Sequence, residues 1–156
     1  MKRIIVLTSI AFALTGCSTY SRKQCESFDW KTEGRKSAMA GEKVLTSSKR
    51  YQDVCTREHD VKVDRVEFLE GYNEGLNVFC TRTSGREYGA SGNEYAGICP
   101  VEKESDFLTG YNTGQLNHLS KQVTNLRTEV QRLKNDNNSK EAEIARLRSQ
   151  INSLSR

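Results

Sequence analysis

Phe68-Leu69-Glu70-Gly71-Tyr72-Asn73-Glu74-Gly75 returns thirty-nine residues later as Phe107-Leu108-Thr109-Gly110-Tyr111-Asn112-Thr113-Gly114, with six of eight positions the same. A looser version is Trp30 followed by Gly34, Ala38 and Gly41. Residues four apart share one face of a helix, so Gly71 with Gly75 would bare the backbone on one side while Phe68 and Tyr72 stack as a pair. Glycine inside a helix costs about 1 kcal/mol relative to alanine. Its repetition at this spacing therefore predicts helices that cross closely, and a mainly α fold. A second use of the same residues would be Tyr72 and Tyr111 lining a shared ligand groove.

Working outward, helices are expected over 28–40, 42–56 and 64–79, with a long one from about Glu102 to the C-terminus. Glu102 and Glu104 follow Pro100, where carboxylates suit the helix dipole. Between the two copies of the motif, residues 83–97 hold four glycines among small polar residues, which points to a Gly-rich loop or short hairpin. Surface loops on a rigid frame often carry recognition, and Arg86, Tyr88 and Tyr95 are the candidate recognition residues of this one. Gly85, Gly89 and Gly92 do not form a phosphate cradle, because no apolar strand precedes them and no Lys-Ser or Lys-Thr follows.

At the N-terminus, Lys2 and Arg3 precede an apolar run from Ile4 to Leu14, and Leu14-Thr15-Gly16 leads directly into Cys17. These are the parts of a secretory leader, and a cysteine straight after the small residues marks cleavage of the lipoprotein type. Residues 1–16 are then a signal peptide, Cys17 is the lipidation site, and 17–24 form a tether. Several acyl chains on one residue make a stable anchor where a single chain holds reversibly. Ser18 stands where an inner-membrane retention signal would place Asp. The expected location is accordingly the outer membrane, periplasmic face, lipid-anchored.

Without the leader 140 residues remain, with 22 basic against 20 acidic side chains. A net charge of +2 spread along the chain argues against nucleic acid. The full chain is 35% hydrophobic with a mean hydropathy of −0.70, so its core is small and needs other support. Cys25, Cys55, Cys80 and Cys99 supply it as two disulfides in an oxidising compartment. Their spacing holds no C-x-x-C, and neither His59 nor His118 falls at a ligand interval from them, so no zinc or other metal is expected. Three pairings are open. Joining Cys80 to Cys99 across the Gly-rich segment leaves Cys25 for Cys55, which requires a break near Gly41. One continuous helix between Cys25 and Cys55 would hold them roughly 40 Å apart and send Cys25 to Cys80 instead.

Asp29-Trp30 with Gly34, then Cys55, Gly71 and Gly75 with Leu76 before Phe79-Cys80, Tyr95, Cys99-Pro100, and Phe107 with Gly110 and Gly114 form a pattern. It resembles the bacterial lipoprotein family known as domain of unknown function 2799, over about residues 25–115. The resemblance implies secretion, disulfides and a small helical fold; it brings no activity. The chain departs from that pattern at Phe79, where Tyr is usual, and at 35–37, where an Asp-Gly is common.

From Leu116 the chain becomes a heptad repeat, read here as a coiled coil over 116–156. One core set is Leu116, Val123, Val130, Asn137, Ile144 and Ile151; the other is Leu119, Leu126, Leu133, Lys140, Leu147 and Leu154. Branched residues in the first set with Leu in the second favour two parallel strands, and Asn137 can pair with its twin. Across such a dimer Glu129 would face Lys134 and Glu143 would face Arg148, whereas Asp136 against Glu141 repels. The alternatives are a trimer, or a helix folded back on its own domain. The chain ends in Arg156, whose guanidinium is no nucleophile for a covalent link to the cell wall.

The expected protein is therefore a small disulfide-held helical domain (25–115) followed by a long C-terminal coiled-coil helix. Its expected role is structural or protein-interacting, as a homodimer or trimer, with an envelope protein or peptidoglycan as further partner. The alternative is a ligand-binding or inhibitory module using the Gly-rich loop. No cofactor is expected, and no catalysis: His59 and His118 are the available near-neutral bases, both read as solvated, and neither has a nucleophile motif beside it.

Overall fold

The computed structural model describes residues 20–155. Six α-helices follow in order: α1 Arg22–Ser27, α2 Trp30–Met39, α3 Val44–Tyr51, α4 Arg65–Phe79, α5 Arg82–Ala90 and α6 Val101–Leu154, with a π-helical segment Gln52–Glu58 after α3. Side chains start most of them. Ser21 and Gln24 form a reciprocal capping box on α1, and the Asp29 carboxylate accepts from Thr32 N–H at 2.6 Å. Asp64 accepts from Val66 and Glu67 N–H on α4, and Thr81 Oγ1 accepts from Ser84 N–H on α5. Such caps satisfy donors that the first turn leaves unpaired.

The helices pack as two parallel pairs whose registers correspond. In α2 and α4, a Cβ added to Gly71 would lie 1.7 Å from the Lys31 carbonyl oxygen, one on Gly34 1.9 Å from that of Phe68, and one on Gly75 2.6 Å from that of Arg35. In α5 and α6, Gly110 meets Arg82 O at 1.9 Å, Gly85 meets Phe107 O at 2.2 Å and Gly114 meets Arg86 O at 2.1 Å. Contacts advance together along both chains, so each pair is parallel. Missing Cβ atoms let the backbones touch, a geometry in which Cα–H groups point at carbonyls of the facing helix. Each first helix is followed by a glycine in the left-handed region, Gly41 at φ +77° and Gly92 at φ +78°, which turns the chain back toward the start of its partner.

Parallel partners must begin at the same end, and there each pair is fastened. Cys25–Cys55 lies ahead of α2 and α4, and Cys80–Cys99 ahead of α5 and α6. This is the pairing that a break at Gly41 permits. Aromatic side chains fill each pair: Trp30, Tyr51 and Phe68 with Tyr20 and Phe28 in the first, Tyr88, Tyr95, Phe107 and Tyr111 in the second. Phe79 joins the two, its ring 4.9 Å from Phe107 and 5.1 Å from Tyr88. The Tyr72 hydroxyl donates to Glu42 O at 2.5 Å; burial pushes that phenol up to about 12.

Several expectations need correction. Residues 83–97 are not a loop or hairpin: α5 occupies the first half, only 91–100 is irregular, and no strand occurs among the described residues. Gly85 and Gly89 are poor helix formers, but their close contact with α6 more than offsets that intrinsic cost. The helix expected over 42–56 starts at Val44, and its last turns widen into the π-helical segment that carries Val54 and Cys55 inward. The tether expected over 17–24 is shorter, because Tyr20 already packs on Tyr51 and α1 starts at Arg22. The long helix expected from about Glu102 is present as α6, which runs without interruption from 25–115 into 116–156.

Candidate functional site

Beyond the second helix pair, α6 continues alone. His118 is its last residue packed against the domain, with Nδ1 3.2 Å from Ala90 O and its ring against Gly92. Residues 119–154, about 54 Å of helix at 1.5 Å per residue, are all exposed. Leu116, Leu119, Val123, Leu126, Val130, Leu133, Ile144, Leu147, Ile151 and Leu154 form an apolar line along this end of α6, each between 45% and 88% exposed. Asn137 and Lys140 interrupt it. The helix is thus not folded back onto the domain, and no described residue covers the line.

Charges flank the seam. Arg132 binds Glu129 through two hydrogen bonds of 2.6 and 2.8 Å, which hold the Glu129 carboxyl below its ordinary value. Lys140 pairs with Asp136 at 2.9 Å, one turn away, so a cation sits beside the carboxylate expected to repel Glu141. Exposed pairs of this kind contribute little to stability on their own.

The lipidation residue Cys17 lies outside the described residues. Of the candidate recognition residues, Arg86 is exposed on α5, beside a shallow cleft that it lines with Arg82, Thr83 and Thr113. Tyr88 and Tyr95 point the other way. Tyr88 packs edge-on against Phe79, and its hydroxyl reaches the Ala40 and Glu94 carbonyls at 3.5 and 3.4 Å. The Tyr95 ring lies 4.6 Å from that of Phe107; its hydroxyl donates to Glu104 Oε1 and accepts from Cys99 N–H. Burial raises both phenols above their ordinary value. The Tyr111 hydroxyl likewise donates to Asn93 O. The structure does not bring the three residues together on one surface: the tyrosines hold the 91–100 loop onto α6.

Neither histidine is simply solvated. His59 is half-buried with Nε2 2.8 Å from Tyr20 O, and His118 seats the end of α5. Among the described residues no cluster of three or more His, Cys, Asp or Glu could hold a metal, and no helix is long and apolar enough to cross a membrane. A cleft of about 410 Å³ between α3 and α4 is lined by Val44, Leu45, Val63, Phe68 and Leu69 with Lys49 and Arg65 at its edge. Sequence reading missed it, because it depends on α3 and α4 lying side by side. A signal for α5 was present: Gly85, Gly89 and Gly92 repeat the spacing of Gly34, Ala38 and Gly41.

No curated protein and no solved structure matches the chain. Residues 1–18 match the prokaryotic membrane lipoprotein lipid attachment site, so the chain is a lipoprotein anchored to the membrane through lipid. The match that covers the helix pairs extends from residue 29 to residue 116, from the cap of α2 to the start of the exposed seam. With more than half of its length matched, the chain belongs to the family described as protein of unknown function (DUF2799).

Proposed function

We propose that this protein is an outer-membrane lipoprotein facing the periplasm, with a structural or protein-interaction role, which associates with a second copy of itself through α6. The observation that carries the reading is the uncovered apolar line from Leu116 to Leu154 on a helix that has left its own domain. At roughly 25 cal/mol per Å² of apolar surface removed from water, a seam of ten such side chains is a strong driving force for pairing. Val123, Val130, Ile144 and Ile151 alternating with Leu favour two parallel strands, and Asn137 favours one register. Parallel strands also suit anchoring, because both copies then begin at the same membrane. The two disulfides fit an oxidising compartment, and Ser18 after Cys17 fits release to the outer membrane. The role is non-catalytic, with an envelope protein or peptidoglycan as the further partner.

The test is a cysteine at Val123 in the lipid-free mature protein, oxidised and run without reductant. Parallel, in-register strands place the two copies of position 123 side by side and give a covalent dimer. A chain that stays monomeric under the same oxidation contradicts the reading.

A further inference from the structure

We propose that the α1 end of the domain, around Tyr20, Lys23 and His59, rests directly on lipid headgroups, the bilayer surface being its partner. The inference builds on the lipid at Cys17 and adds where the membrane meets the fold. Tyr20 is a packed residue: its ring stacks on Tyr51 at 5.4 Å, meets Phe28 edge-on at 5.1 Å, and its carbonyl lies 2.8 Å from His59 Nε2. Directly after it Ser21 caps α1, and Cys25 on that helix is bonded to Cys55. The fixed part of the molecule therefore begins three residue steps from Cys17. Fully extended, that reach is at most about 11 Å. A connection so short cannot lift the domain clear of the headgroup layer in which the acyl chains end.

The neighbours of Tyr20 define the contact face. Arg22 and Lys23 are exposed on α1, and Arg57, Glu58 and Asp60 are exposed where the π-helical segment ends beside His59. Cations and carboxylates interleave here, with Arg22 on Glu26 at 2.9 Å and Arg57 on Asp53 at 3.0 Å. A face of mixed sign matches zwitterionic headgroups, whose ammonium and phosphate can each find a partner, and gives no reason for dependence on anionic lipid. The bilayer thus meets the first helix pair, whereas the seam helix departs from the second, past Gly92 and His118.

Trp30 is the chain's single tryptophan and lies in this aromatic cluster, 5.6 Å from Phe28. It is a native donor for energy transfer to a dansyl-labelled headgroup lipid in phosphatidylethanolamine vesicles carrying the full lipidated protein. Strong transfer is expected, unchanged by added salt. A Gly-Ser spacer of about 20 residues between Ser18 and Thr19, spanning roughly 25 Å, should cut it by about threefold or more. Weak transfer from the native chain, equal to that of the spaced chain although both float with the vesicles, overturns the proposal. A native chain that does not float overturns the anchor itself, and the two failures are told apart by flotation alone.

Discussion

Gly71 and Gly110 hold corresponding places, and at each an added Cβ would enter the backbone of the facing helix, at Lys31 and at Arg82. Backbone cannot swing aside as a side chain can, so the helices must separate. Gly71→Ala and Gly110→Ala should each destabilise the fold by about 2–3 kcal/mol, read by chemical denaturation. Gly114→Ala, against Arg86 O and Ala90 N, should behave alike. At Gly97 an added Cβ meets nothing, and there alanine should cost only about 1 kcal/mol, from the left-handed backbone. Tyr72 makes the residue scale visible in pH. Its phenol is raised by burial to about 12, so above the ordinary value near 10 the unfolded chain loses a proton that the folded chain keeps. Stability is then full below pH 10 and falls as pH rises toward 12. That alkaline loss should shrink in Tyr72→Phe, measured as unfolding free energy across the range.

The disulfides and α5 belong to the scale of elements. Each bridge fastens the starting ends of a parallel pair, and its removal frees the unfolded chain from that closed loop, so folding must then overcome more conformational entropy. Cys80→Ser with Cys99→Ser should cost about 3 kcal/mol and Cys25→Ser with Cys55→Ser slightly more, following the 19- and 30-residue separations. α2, α4 and α6 were legible in the sequence because apolar spacing, caps and heptads pointed the same way. α5 was not, because propensity treats Gly85 and Gly89 as penalties, whereas their value lies in a contact with residues more than twenty positions on. The parallel arrangement was hidden for the same reason: it is a relation between helices, and the motif at Phe68 and Phe107 shows only that each has a bare face. In α6, the proposed self-association would draw its specificity from Asn137. Asn137→Leu should strengthen association while loosening its stoichiometry, a change that light scattering would detect as higher or mixed oligomers.

As a whole, the molecule uses one helix pair twice for different ends. The first pair carries the chain's N-terminal attachment through Tyr20 and α1; the second launches α6 and its seam. The two pairs share one small core, in which the Phe79 ring packs against Tyr88 and Phe107 of the second pair. Tyr88 on α5 and Tyr95 in the 91–100 loop are candidate recognition residues in the sequence, whereas in the fold they are committed to Phe79, Phe107 and Glu104. Sequence could tell that aromatic residues lay near glycines, but not that they turn inward, Tyr88 from α5 and Tyr95 from the loop after it. Among the described residues, what remains exposed and apolar is chiefly the seam. The measurement that tests its role most directly is sedimentation equilibrium of the lipid-free mature protein, beside a variant carrying Leu126→Asp and Leu133→Asp. A dimer that becomes a folded monomer in the variant is the predicted result; a native chain that sediments as a monomer would contradict it.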